Sequence, residues 1–201
     1  MLDLRPYILK YNSLIDVFSL HSPTIFFDAG LESTVILDTN LKYVLKFRHS
    51  GEFNDACCEA YHNTLDIPGL EKMVGISASR RSMIMELVSG CCVDRLSASQ
   101  CLSIKKTQID MLFQTIFTSS DRRIVLDINK MNLFYDSVNG FCIIDLNTFD
   151  EGKEDPEIIK RISIIMVIGL LDNLLCKYSK DRPCFFHLKD LRDYILRSIT
   201  I

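Results

Sequence analysis

The longest apolar stretch in this 201-residue chain, Ile162 to Leu171, runs for only ten residues, with Ser163 inside it and Asp172 ending it. A spanning helix needs about 20 apolar residues, so no membrane span is expected and the run reads as a buried helix. The opening residues, Met1-Leu2-Asp3-Leu4-Arg5-Pro6, lack the apolar segment of a secretory signal, and no Asn-x-Ser/Thr sequon occurs. A cytoplasmic location follows as an expectation. Basic residues cluster no further than dipeptides such as Arg80-Arg81, Lys105-Lys106 and Arg122-Arg123, in a chain of net charge −3. Tracking a phosphate backbone takes a basic stripe, so nucleic acid is not expected as the main partner. The Gly-x-Ser-x-Gly elbow of serine hydrolases is absent as well.

Cys-x-x-Cys is also missing, although the chain holds eight cysteines. They fall as two adjacent pairs, Cys57-Cys58 and Cys91-Cys92, and four singles in apolar or helical surroundings. That placement suits reduced core residues of a reducing compartment better than a disulfide framework. Cys58 and His62 stand i, i+4 on one predicted helix face, but two such groups without a Cys-x-x-Cys make a poor zinc site. The histidines at 21, 49, 62 and 187 share no motif and read as surface or capping residues.

What is present is globular: 48% of the residues are hydrophobic and 24% charged, which excludes disorder. Three strand-like runs come first, Thr24 to Phe27, Thr34 to Leu37 and Tyr43 to Phe47, with turn formers at Asp28 to Ser33 and Asp38 to Asn40. Glu52 to Leu65 then carries apolar residues at three- and four-residue steps, the period of a helix. Beyond Pro68-Gly69, two further strands are predicted around Met73 to Ile76 and Met83 to Leu87. From Ser97 the character turns helical, with Ile104, Ile109, Leu112, Phe113, Ile116 and Phe117 on one stripe. A hairpin over Leu133 to Tyr135 and Phe141 to Ile144 turns at Asn139-Gly140, the strongest short hairpin signal. Two helices, about Glu157 to Tyr178 and Leu188 to Ile199, complete the pattern. The class is α+β: an antiparallel sheet carrying one helix, followed by a helical part.

Two short segments carry chemistry. Val125-Leu126-Asp127-Ile128-Asn129-Lys130-Met131-Asn132 and Ile143-Ile144-Asp145-Leu146-Asn147 each set a carboxylate directly after apolar residues. Ionisable groups beside apolar walls are costly unless paired or holding a cation. Asp127, Asn132 and Asp145 could converge as oxygen ligands and base around Mg²⁺, a hard ion that takes carboxylate and amide oxygens. Taken singly, Asp127 could merely cap a turn and Asp145 merely end a strand.

Together with the order of elements, these residues resemble the protein-kinase fold over roughly residues 24 to 175. The resemblance implies two lobes, 1–88 and 89–201, with ATP in the cleft between them. Asp127 and Asn132 resemble the catalytic loop, which implies a base at Asp127 and a metal ligand at Asn132. Asp145 resembles the metal-binding Asp of Asp-Phe-Gly. Lys46, in Val44-Leu45-Lys46, is similar to the lysine that holds the ATP phosphates, and Glu59 on the following helix is its implied ion-pair partner. Met85-Glu86-Leu87-Val88 resembles the end of the fifth strand and the hinge, with backbone groups of Glu86 and Val88 receiving adenine. Gly30 and Ser33 lie in the position of the phosphate-binding loop.

The pattern departs from the common form in places. Val125-Leu126 stands where His-Arg is usual, Asp145-Leu146-Asn147 replaces Asp-Phe-Gly, and the phosphate loop keeps a single glycine. Only ten residues separate Asp145 from Pro156, too few for an activation segment, and 56 residues follow Asp145 in all. These features resemble minimal bacterial type III effector kinases of the OspG/NleH type. That resemblance implies a Ser/Thr protein kinase injected into the host cytosol and acting on a host protein there, without a phosphorylation switch after Asp145. It also implies either constitutive activity or activation by a protein partner that orders Lys46 and Glu59. A lipopolysaccharide-core sugar kinase, an aminoglycoside-type phosphotransferase and a pseudokinase binding module share enough of these residues to stand as alternatives.

Overall fold

The computed structural model describes residues 26–29, 33–38, 43–147 and 155–199. It divides into two units, one ending at Asp66 and resuming over Glu71–Leu87, the other made of Ile67–Leu70 with the chain from Val88 onward.

The first unit is a five-stranded antiparallel sheet with one described helix. Its strands are β1 (Phe26–Ala29), β2 (Ser33–Asp38), β3 (Tyr43–Arg48), β4 (Met73–Ile76) and β5 (Ser82–Glu86), in the spatial order β1-β2-β3-β5-β4. Consecutive side chains of a strand point to opposite faces, and in β3 both Leu45 and Lys46 are buried. Lys46 stands opposite Val35 on β2 and Met83 on β5. Helix α1 (Asp55–Asn63) starts where the Asn54 side chain accepts the Cys57 N–H at 2.7 Å, three residues later than the periodicity alone suggested. An asparagine cap that fills an orphan donor sets that boundary. α1 buries Cys57 and Tyr61, one turn apart, and Lys46 Nζ donates to the Tyr61 hydroxyl at 3.3 Å, so α1 covers the face that Lys46 points to.

The second unit packs helices around a short hairpin. The stripe read as one helix is two, α2 (Ala98–Ser103) and α3 (Lys106–Asp121), because Ile104 and Lys105 are extended between them. Side chains close both starts: Ser97 and Gln100 form a reciprocal capping box, and Gln108 Oε1 accepts the Lys105 N–H at 3.0 Å. α4 (Pro156–Lys177) starts at a proline behind the Asp155 cap. α5 (Arg182–Ile199) begins six residues before Leu188, since Asp181 Oδ1 accepts the Cys184 N–H and Cys184 is already a core position. Cys184, Leu188, Leu191 and Ile195 repeat at helical steps and are all at most 1% exposed. α5 packs against α3 and α4, whose buried residues include Ile116, Val167 and Leu171. Each such burial is worth about 1.5–3 kcal/mol. The hairpin β8 (Leu133–Asp136) and β9 (Gly140–Ile143) is joined by β6 (Cys91–Cys92) on its other edge. Among the described residues, no helix is long and apolar enough to cross a membrane.

All eight cysteines are free thiols; four are buried, and Cys176 is exposed. Burial pushes the Cys101 thiol up to about 12, which keeps it protonated and inert.

Gly90, just before β6, gives a stability test. It has φ +88°, and a Cβ there would lie 2.1 Å from the Tyr135 carbonyl oxygen. Gly51 has φ +71° with nothing within 4 Å of such a Cβ. Gly51→Ala should cost about 1 kcal/mol from backbone strain, and Gly90→Ala distinctly more, about 2–3 kcal/mol. Urea midpoints check this; equal losses at the two positions would refute the contact with β8.

Candidate active site

Two short strands build the carboxylate cluster of the second unit. β7 (Val125–Leu126) pairs antiparallel with β10 (Leu146–Asn147), Leu126 facing Leu146. One step further in the same register, Asp127 and Asp145 come opposite each other. The apolar neighbours explain the placement: Leu126, Ile128, Leu133 and Ile143 are each at most 3% exposed and pin the loop from below. Between them the chain turns on Asn129, whose Oδ1 accepts the N–H groups of Met131 at 2.8 Å and Asn132 at 3.0 Å. This is the local side-chain turn that asparagine favours. Asn132 Nδ2 donates to Asp127 Oδ2 at 2.8 Å, and the Asn132 carbonyl accepts the Ile144 N–H at 2.8 Å. Asp127, Asn132 and Asp145 are thereby gathered at one end of the small ladder.

Asp145 has φ +69°, in the left-handed region. Aspartate reaches it more readily than most residues, yet the conformation still costs about 1 kcal/mol and such outliers concentrate at functional sites. The donor set fits Mg²⁺. With its Nδ2 spent on Asp127, Asn132 has its amide oxygen left to offer, beside the exposed carboxylate of Asp145. Mg²⁺ typically takes one or two protein carboxylates together with phosphate oxygens. Among the described residues there is no cluster of three or more His, Cys, Asp or Glu that would form an all-protein metal cage.

In the sheet unit, Lys46 is 8% exposed, and its ion-pair partner differs from the expected one. Lys46 Nζ lies 2.7 Å from Oε1 of Glu71, a residue 4% exposed that immediately precedes Lys72 and β4. Glu59 is exposed. The reason is helical geometry: Cys57 and Tyr61 define the buried face of α1, and Glu59, two residues from each, falls on the opposite side at 100° per residue. Ser33 pairs with Arg48 at the end of the β2–β3 ladder. Gly30 lies outside the described residues, as do residues 148–154, on which the expectation of an unswitched segment bears. The Glu86 N–H is spent on the Lys72 carbonyl at 2.8 Å, so any adenine contact there would fall to its carbonyl; Val88 is half-buried.

One residue of consequence was not singled out from the sequence. Glu71 had no motif around it; only its burial next to Lys46 reveals it. Asn129, by contrast, has the spacing to Met131 and Asn132 of a side-chain turn, which a sequence can show. Lys130, next to it, faces away from Asp127 toward Asp94, 3.3 Å from its Oδ1.

No protein-family model matches this chain, and no curated protein matches it. Solved structures do. The chain is similar to the Rio2 kinase–ADP/Mg²⁺–phosphoaspartate complex of Chaetomium thermophilum, at 15% identity and TM-score 0.53, over 79% of this chain and 59% of that one. It is similar to the aminoglycoside phosphotransferase APH(3'')-Id of Streptomyces rimosus, at 12% identity and TM-score 0.50, over 96% and 99%. The Cydia pomonella granulovirus kinase PK-1 matches at 19% identity and TM-score 0.44, over 65% and 54%. The chain thus spans between half and three-fifths of the length of the two kinases. The fold is kinase-like: an α+β chain with an antiparallel-sheet N-terminal part and a helical C-terminal part.

Proposed function

We propose that this protein is an ATP- and Mg²⁺-dependent phosphotransferase that acts on Ser or Thr hydroxyls of a protein, in the manner of the minimal effector kinases of the OspG/NleH type. The observation that carries the reading is the gathering of Asp127, Asn132 and Asp145 by the β7–β10 register and the Asn132–Asp127 bond. Asp145 and Asn132 would hold Mg²⁺, which when bound neutralises phosphate charge. Lys46, fixed by Glu71, aligns the phosphates. Asp127 takes the proton of the acceptor hydroxyl as its oxygen bonds to the γ-phosphorus, and the bond from that phosphorus to ADP breaks. The acceptor protein belongs to a host cell, and the location is the host cytosol.

A second reading, a small-molecule acceptor, has one observation in its favour: the aminoglycoside phosphotransferase matches nearly end to end. The experiment is transfer of ³²P from γ-labelled ATP to a host-cell protein extract, and separately to aminoglycosides and lipopolysaccharide core sugars. Label on serine or threonine of proteins supports the first reading, and label only on small molecules supports the second. Nucleotide binding with no transfer to any acceptor would leave a pseudokinase.

A further inference from the structure

We infer that Glu71 is the positioning residue for Lys46, and that the alignment of this lysine is built into the sheet rather than switched by movement of α1. The inference rests on the phosphotransferase reading for its catalytic meaning, while the arrangement itself stands on contacts within the sheet unit.

The three polar groups contact one another. Glu71 Oε1 accepts from Lys46 Nζ at 2.7 Å and from the Tyr61 hydroxyl at 3.1 Å, and Lys46 Nζ reaches that hydroxyl at 3.3 Å. The ammonium also sits 5.6 Å from the centre of the Tyr61 ring. Lys46, Glu71 and Tyr61 are all buried. Separating a buried charge from a counter-ion in contact with it is costly, so each restrains the other. The carboxylate therefore restrains where the ammonium points.

Glu71 is in turn fixed through its neighbour. The Lys72 carbonyl accepts the Glu86 N–H at 2.8 Å, tying the segment to the end of β5, and Lys72 Nζ donates to the Thr64 carbonyl at 2.8 Å, at the C-terminus of α1. Glu71 thus sits on backbone anchored to a central strand. α1 contributes a hydroxyl and an aromatic face through Tyr61, and its C-cap carbonyl at Thr64 holds Lys72 rather than Glu71 itself. A displacement of α1 that broke both Tyr61 contacts would still leave the 2.7 Å ion pair intact. A carboxylate carried on the helix would travel with it. The partner-driven ordering expected for a Lys46–Glu59 pair has no counterpart in this arrangement: helix position tunes Lys46 and does not gate it.

The test compares Glu71→Gln, Glu71→Asp, Tyr61→Phe and Glu59→Gln in the full chain. Two readouts apply. The first is independent of catalysis: the rate at which an N-hydroxysuccinimide ester acylates Lys46, read by peptide mass spectrometry. A buried ammonium paired with a carboxylate acylates slowly. Glu71→Gln should speed it at least fivefold, Tyr61→Phe about twofold, and Glu59→Gln not at all. The second is kcat/KM for ATP. Glu71→Gln should lose at least tenfold, Glu71→Asp should recover part of that, and Glu59→Gln should match wild type. In a Lys46→Met background, Glu71→Gln should add little further loss, since two residues acting through one group are non-additive; additive losses would make Glu71 merely structural and overturn the inference. Acylation that responds to Glu59→Gln and not to Glu71→Gln would overturn it too. Should Glu71→Gln not fold, Tyr61→Phe and Glu71→Asp still decide, because a helix-gated lysine would respond to Tyr61→Phe as strongly as to Glu71→Asp. A wild-type chain without ATP turnover but with the expected acylation pattern would sink the phosphotransferase reading and leave the Lys46–Glu71 arrangement standing.

Discussion

Asp145→Ala is expected to lower phosphoryl transfer by about 10³-fold or more while leaving the fold intact. The carboxylate is the one charged ligand in the proposed metal set, and the metal carries most of the neutralisation that a phosphoryl transfer needs. The side chain is exposed, so its loss removes no core. Its backbone stays at φ +69°, which alanine tolerates slightly less well than aspartate, so stability should change by no more than about 1 kcal/mol. Asp145→Gly sharpens the experiment, because glycine adopts this conformation freely: activity should be lost as completely with no strain penalty. Transfer assays beside thermal melts check both. Near-normal activity in either variant would remove Asp145 from the metal site.

Asp127→Asn is the second large effect. The replacement amide still has an oxygen to accept the Asn132 Nδ2 hydrogen bond, so the loop should keep its shape. What disappears is the capacity to take a proton. Turnover should fall by about 10²–10⁴-fold, the range of general-base contributions, with ATP affinity within about twofold of wild type. Measuring Kd by nucleotide titration and kcat in parallel separates the two. A large loss of affinity with little change in turnover would make Asp127 a binding group and not a base.

Much of the scaffold was readable because its signals are local. β2, β3, β4 and β5 lie within a residue or so of the runs of branched and apolar residues that marked them, and Asn139-Gly140 forecast the β8–β9 turn. Asp127, Asn132 and Asp145 stood out because a carboxylate after an apolar pair is conspicuous, and β7 is itself the apolar pair before Asp127. Those strands themselves, β7 and β10, were not legible, and neither was β6: two residues hold no period. The break at Ile104-Lys105 was hidden because no proline or glycine marks it and the apolar stripe runs across it. Glu71 was hidden for a different reason. Its partner is 25 residues away, and a buried ion pair leaves no spacing rule in a sequence. Glu59 was the reasonable guess from order alone, and only the phase of α1 rejects it.

The way the chain divides between its units bears on how such a protein could be cut or recombined. Ile67–Leu70 belongs with the helical unit although the sheet unit precedes and follows it in sequence. The insert is held tightly: Ile67 is fully buried, the Gly69 carbonyl accepts the Ile143 N–H at 2.8 Å, and Thr115 Oγ1 donates to the Pro68 carbonyl at 2.7 Å. A fragment starting at Val88 would therefore leave an open slot where Ile67 and Leu70 should lie. Neither unit is a cassette. Exchange of helical units between related chains at a crossover near residue 88 would pair each new unit with four residues matched to the old one. Any natural or engineered reshuffling that works has to carry residues 67–70 along with the partner they fill.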